Sequence, residues 1–250
     1  MATATKFRPG ADAPQVHPAR SASLPWPLRF YSTAVGKKWV MALTGVGLMG
    51  FVFVHMIGNL KMFLGRTEFD HYAEGLRALL YPIMPHHVVL WGFRIGLIVM
   101  FALHISSAIS LTRMNKRARP IKYQSSRDYI AVSFASRTMR WTGIIVALYL
   151  LFHLADLTWG YANPDFVRGA AYDNLVASFE RVPVAIIYIV SNIALGIHLF
   201  HGGWSMFQSM GINSPRYNGA RKAFAAGFVV VTIGMNCVFV VAILTGFVGS

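Results

Sequence analysis

Residues 195–205 read Leu195-Gly196-Ile197-His198-Leu199-Phe200-His201-Gly202-Gly203-Trp204-Ser205, and the two histidines of this run decide how the chain is read. His198 and His201 stand three residues apart in an apolar stretch, where a titratable ring is costly unless something ligates or pairs it. Three further apolar stretches each carry one interior histidine: His55, His104 and His153.

The surrounding composition is that of an integral membrane protein. Of 250 residues, 55% are hydrophobic and 13% charged, with a mean hydropathy of +0.50. The net charge of +14 sits between long apolar runs, so it reports topology and contact with anionic lipid rather than nucleic-acid binding. Cys237 is the single cysteine, which excludes a disulfide framework, a cysteine-ligated iron–sulfur cluster and a covalently attached haem.

Residues 1–34 combine Pro9, Pro14, Pro18, Pro25 and Pro27 with Lys6, Arg8, Arg20 and Arg29, and contain no signal-peptide core. They read as an extended, basic, cytoplasmic arm. It is either a solvated tail or, given Trp26, Phe30 and Tyr31, a strap onto a soluble partner. Residues 35–250 read as one all-α membrane domain of five transmembrane helices, four of them forming a bundle around the histidines. The spans run over about 38–64, 87–111, 138–161, 182–210 and 223–248. Gly45, Gly47, Gly50 and Gly58 in the first span permit close approach of a helix or a flat cofactor. Residues 65–85 suit a short amphipathic interfacial segment. The second connection is the most basic, with Arg113, Lys116, Arg117, Arg119, Lys122 and Arg127 before Arg137 and Arg140. The connection over 162–181 is acidic by comparison. The positive-inside rule then puts the N-terminus in the cytoplasm and, with five spans, the C-terminus outside. No internal repeat stands out beyond the alternation of histidines.

Orientation converts sequence position into depth at ~1.5 Å per helical residue. His55 and His153 come late in outward-running spans, His104 and His198 or His201 late in inward-running ones. The histidines therefore sort into two layers roughly 15 Å apart. A neutral imidazole is a good axial donor to haem iron, and two of them close both axial positions, which favours electron transfer over dioxygen binding. Taken singly, each histidine would serve equally well as a helix–helix hydrogen bond, and a zinc cage would need three or four ligands at one depth. Lys37, Lys38, Arg113 and Arg140 on the inner side, with Lys61 and Arg94 on the outer, are candidates for haem propionates, or simply snorkel. His17, His71, His86 and His87 read as solvated or headgroup-level residues. Helical offsets from His198 meet Ser191, Ala194, Leu195, Gly202 and Ser205, a more open face than the one around His201, which meets Ile197 and Gln208. That favours His198 and leaves His201 as the alternative ligand.

Two local patterns give these residues a family likeness. The first is His55-Met56-Ile57-Gly58-Asn59-Leu60, followed by Glu68-Phe69-Asp70-His71-Tyr72; the second runs from His198 through Trp204 to Gly211. Over residues 30–250 the chain resembles the di-haem, single-polypeptide cytochrome b anchor of bacterial succinate dehydrogenases and fumarate reductases. In that resemblance His198 occupies the ligand position by its distance to Trp204 and Gly211, and His201 is not required.

The resemblance implies two haem b groups, one held by His55 and His153 and one by His104 and His198, in a multi-pass protein of the bacterial plasma membrane. It also implies a flavoprotein subunit carrying FAD and an iron–sulfur subunit on the cytoplasmic side, with room for a further small membrane subunit. Electrons would pass through the haems to or from menaquinone or ubiquinone. The chain itself has no dicarboxylate chemistry, no catalytic residue of that reaction and no GxGxxG fingerprint. Quinone donors could come from Glu68, Asp70, His71 and Glu74 outside, or from Arg29, Tyr31, Ser32, Trp204 and Gln208 inside. A cytochrome b subunit of a hydrogenase or formate dehydrogenase, and a non-redox transporter or scaffold, are the competing readings.

Overall fold

The computed structural model describes residues 25–118, 130–212 and 214–249, with backbone alone over 130–137. Among the described residues the secondary structure is helical, without a strand, and five helical stretches are long and apolar enough to cross a membrane. They are Ala34–Leu64, Val88–Arg117, Thr138–Leu157, Val182–Ser209 and Pro215–Leu244. The chain is an all-α integral membrane protein.

Helix α1 (Trp26–Ser32) leads into α2 (Ala34–Asn59) through Thr33, whose side-chain oxygen accepts from the Gly36 amide at 2.9 Å and caps α2. The prolines on either side of Trp26 predict extended chain here, yet the segment is helical. Pro25 is the N-cap and Pro27 lies in the first turn, where a missing N–H costs no hydrogen bond. Residues 1–24, with His17, lie outside the described residues, as do Arg119, Lys122, Arg127 and the side chain of Arg137.

A short 3₁₀ turn (Leu60–Leu64) prolongs α2 and is followed by α3 (Arg66–Arg77). The second and third spans belong to α4 (Val88–Arg117) and α5 (Ile130–Leu157). The connection after α5 is not irregular throughout. It contains α6 (Ala171–Phe179), which the mixture of small and polar residues there did not announce. Helices α7 (Val182–Ser209) and α8 (Asn218–Leu244) complete the chain, with α8 entered through a 3₁₀ turn at Pro215–Tyr217.

The amphipathic helix α3 and α6 together cap one end of the bundle. Asp70 accepts the Tyr172 amide at 2.9 Å, Arg66 pairs with Asp173 at 2.7 Å, and Phe69 and Tyr172 meet edge to face. Beneath this cap lies the larger apolar core, where Met56, Phe179, Ala185, Tyr188 and Phe239 are buried. A smaller cluster around Met49, Leu199 and Ile233 lies nearer the opposite end.

Across the bundle α4 packs on α2, α2 on α7 and α7 on α5, with α8 against α7 and α2. The diagonal pairs α4 with α7 and α2 with α5, and the outer pair α4 with α5, make at most marginal backbone contact. Side-chain space is therefore left between helices that face one another without touching.

Candidate functional site

The four histidines sit on those diagonals. His55 on α2 faces His153 on α5 with ring centroids 6.0 Å apart and planes at 90°. His104 on α4 faces His198 on α7 at 6.4 Å and 66°. Each gap holds two imidazoles turned toward one another from opposite helices, a donor set that would suit a flat, metal-bearing cofactor such as haem. None of the four rings is fully buried. That is the expected state of side chains lining a space wider than protein packing would leave.

The seats of the inner pair fix which nitrogen is free. Nδ1 of His104 lies 3.1 Å from the Met41 carbonyl and 3.3 Å from the Thr44 hydroxyl. A carbonyl can only accept, so Nδ1 carries the proton and the Nε2 lone pair stays available to a metal. Nδ1 of His198 repeats this, with the Met139 backbone and with Thr142 at 3.3 Å. Both threonines donate backward into their own helices, Thr44 to Val40 and Thr142 to Thr138, each at 2.7 Å. Their lone pairs are thereby turned toward the rings. Each ring also lies over a glycine: a Cβ at Gly45 would approach His104 Cε1 to 3.3 Å, and one at Gly143 would approach His198 Cε1 to 3.5 Å.

These contacts expose a repeat. Met41, Thr44, Gly45, Phe51 and His55 recur 98 residues later as Met139, Thr142, Gly143, Tyr149 and His153. The aromatic four residues before each outer histidine touches it in both copies, at 5.4 Å for Phe51 with His55 and 5.9 Å for Tyr149 with His153. Hence α2 with α4 and α5 with α7 are two copies of one arrangement, each holding an inner ring at its threonine and carrying an outer ring eleven residues further on. At helical rise that spacing is ~16 Å.

The outer pair has a different surround. His153 Nδ1 lies 3.5 Å from the Tyr188 hydroxyl, and that hydroxyl donates to Asp156 at 3.0 Å. Asp156 is wholly buried; it also accepts from Ser178 and from Arg181 at 2.6 Å. Neither Asp156 nor Tyr188 was singled out by sequence. A lone carboxylate at the end of a span reads as an interfacial residue, and its partners lie 22 to 32 residues away.

His201 does not face His104. Its ring contacts Phe200 at 5.5 Å, and among the described residues its buried Nδ1 has no hydrogen-bond partner, nor does Trp204 Nε1 one turn on. The Trp204 ring lies 5.2 Å from the Lys222 ammonium. Lys38, Arg113 and Arg140 are exposed and make no ion pair with a described residue. Lys37 covers the Tyr31 ring at 4.1 Å, Lys61 lies 6.0 Å from Tyr72, and Arg94 lies 5.1 Å from Trp91.

Of the quinone candidates, Asp70 is engaged in the α3–α6 cap. His71 and Glu74 line a shallow pocket with His86 and His87. Glu68, Arg29 and Gln208 are exposed, and Ser32 donates to the Arg29 carbonyl at 2.7 Å. The Tyr31 hydroxyl lies 3.0 Å from Ser106 and 3.2 Å from Ser107, contacts that lower its pKa. Gly50 meets open space, whereas a Cβ at Gly47 would strike Met100 Sδ and one at Gly58 the Tyr72 hydroxyl.

Residues 114–236 match the family described as the succinate dehydrogenase/fumarate reductase transmembrane subunit. No curated protein and no solved structure matches the chain.

Proposed function

The chain belongs to the succinate dehydrogenase/fumarate reductase transmembrane-subunit family, matched over residues 114–236, and from that premise we propose that it is a two-haem, quinone-reactive anchor of its complex. The observation that carries this reading is the pair of histidine gaps, 6.0 and 6.4 Å, between helices that do not otherwise pack together. Bound there, haem b would supply reversible one-electron chemistry at two depths of an insulating layer.

The chain's own residues do the holding. His55 and His153 would ligate in one layer, His104 and His198 in the other. Met41, Thr44, Met139 and Thr142 keep the inner tautomers correct for ligation. Lys38, Arg113 and Arg140, which form no ion pair with a described residue, offer cations for propionates at the inner edge. With these four imidazoles holding it, the cofactor would supply electron transfer rather than chemistry on a small ligand. Donors and protons for quinone must therefore come from the ends of the bundle, from Tyr31 and Trp204 inside or from Glu74, His71 and His86 outside.

Charge favours placing the Arg113, Arg140 and Arg216 end in the cytoplasm, where a flavoprotein with FAD and an iron–sulfur subunit would dock, and the α3–α6 cap outside. The family match favours these partners over those of a hydrogenase or a formate dehydrogenase.

A haem count and a reduced-minus-oxidised spectrum of the purified complex test the reading. Two b haems per chain are expected, and a preparation without haem bands would overturn it. Gly45→Val should remove the inner haem selectively. Its branched side chain would fill the space over which His104 lies, where even a Cβ meets the ring at 3.3 Å. Retention of both haems with unaltered spectra would argue against that seat.

A further inference from the structure

The repeat supplies an internal comparison, because its two copies should treat their outer histidines alike and do not. In register with Asp156, three residues beyond His153, the first copy has Gly58, three beyond His55. Where the second copy has Tyr188, ten residues before His198, the first has Arg94, ten before His104. The hydroxyl–carboxylate pair therefore belongs to the second copy alone, although it is fully buried and polar groups in that position are costly unless each is satisfied.

Resting on the two-haem reading above, the geometry points to Tyr188 and Asp156 as a positioning relay for His153. In it the imidazole Nδ1–H donates to the phenol oxygen, and the phenol O–H donates to the carboxylate.

The direction of each bond is fixed by chemistry. Tyr188 has a single hydroxyl proton, and it is directed to Asp156 at 3.0 Å. Toward His153, at 3.5 Å, the oxygen can then only accept, so the ring proton resides on Nδ1 and Nε2 is left to ligate. Arg181 at 2.6 Å and Ser178 both donate to Asp156, which fills its remaining acceptor sites, and Arg181 is itself anchored on the Ala162 carbonyl at 2.8 Å. A carboxylate behind the phenol makes its oxygen a stronger acceptor. The imidazole in turn becomes a stronger donor to ferric iron than one bonded to a main-chain carbonyl, as at the inner pair. Tyr149 supplies the contrast on the same face. Its ring also touches His153, at 5.9 Å, but its hydroxyl accepts from Asn192.

The test is redox titration with low-temperature electron paramagnetic resonance on the intact complex, comparing Tyr188→Phe with Tyr149→Phe. Tyr188→Phe is expected to keep both haems, raise the midpoint potential of the outer one and shift its low-spin signal, with the inner haem unchanged. Tyr149→Phe should leave both potentials where they were. An unchanged outer haem in Tyr188→Phe overturns the relay, as does an equal shift of both haems or the same shift in Tyr149→Phe. A wild-type complex without haem would instead overturn the functional reading on which the relay stands.

Discussion

His198→Ala is expected to leave the complex with one haem in place of two, while His201→Ala keeps both. The two residues sit on neighbouring turns of α7, and composition alone does not separate them. Geometry does: His198 has its ring opposite His104 at 6.4 Å, its Nδ1 held at Thr142 and the Met139 backbone, and a glycine, Gly143, beneath it. His201 has a ring against Phe200 and an Nδ1 without a hydrogen-bond partner among the described residues.

His104→Ala should remove the same haem as His198→Ala, and His55→Ala and His153→Ala should both remove the other. The layers are eleven residues apart along α2 and along α5, so losing one site need not disturb the second. A haem count with a reduced-minus-oxidised spectrum on each variant checks this. Loss of the inner haem in His201→Ala, with retention in His198→Ala, would reverse the assignment.

How far sequence reached is clearest at particular residues. The five spans were legible because a bilayer demands about 20 apolar residues per helix, a signal that needs no tertiary information. The pairing of His55 with His153 and of His104 with His198 was expected from alternating span direction, and the structure places those rings edge-on, 6.0 and 6.4 Å apart. The repeat was missed because its five matching positions are scattered over fifteen residues of otherwise interchangeable apolar side chains. Only the contacts reveal that Thr44 and Thr142 perform the same task. Helix α6 was missed for a related reason. It is stabilised by Asp70 from α3 at its first turn and by apolar contacts beneath the cap, both long-range. Proline misled at the N-terminus, where Pro27 initiates α1 rather than preventing it.

Asp156 is where sequence reasoning was least able to see and where a single substitution should be felt most in stability. Asp156→Ala would strand Arg181, whose side chain is 27% exposed, and leave Ser178 and Tyr188 without their acceptor inside the outer core. Removing one partner of a buried ion pair costs about 3–5 kcal/mol, most of it from the charge left behind.

That origin gives the prediction a second arm. Adding Arg181→Met to Asp156→Ala deletes the stranded cation and should recover part of the loss, even though it removes one more polar residue. Thermal unfolding of the detergent-solubilised complex, followed by intrinsic fluorescence, measures both. An Asp156→Ala complex that unfolds within a degree or so of wild type, or a double variant less stable than the single one, would overturn this expectation. Either result would mean that water or lipid headgroups already reach Arg181 and screen it. The α3–α6 cap would then not be the dry lid that the burial of Ser178, Tyr188 and Asp156 describes.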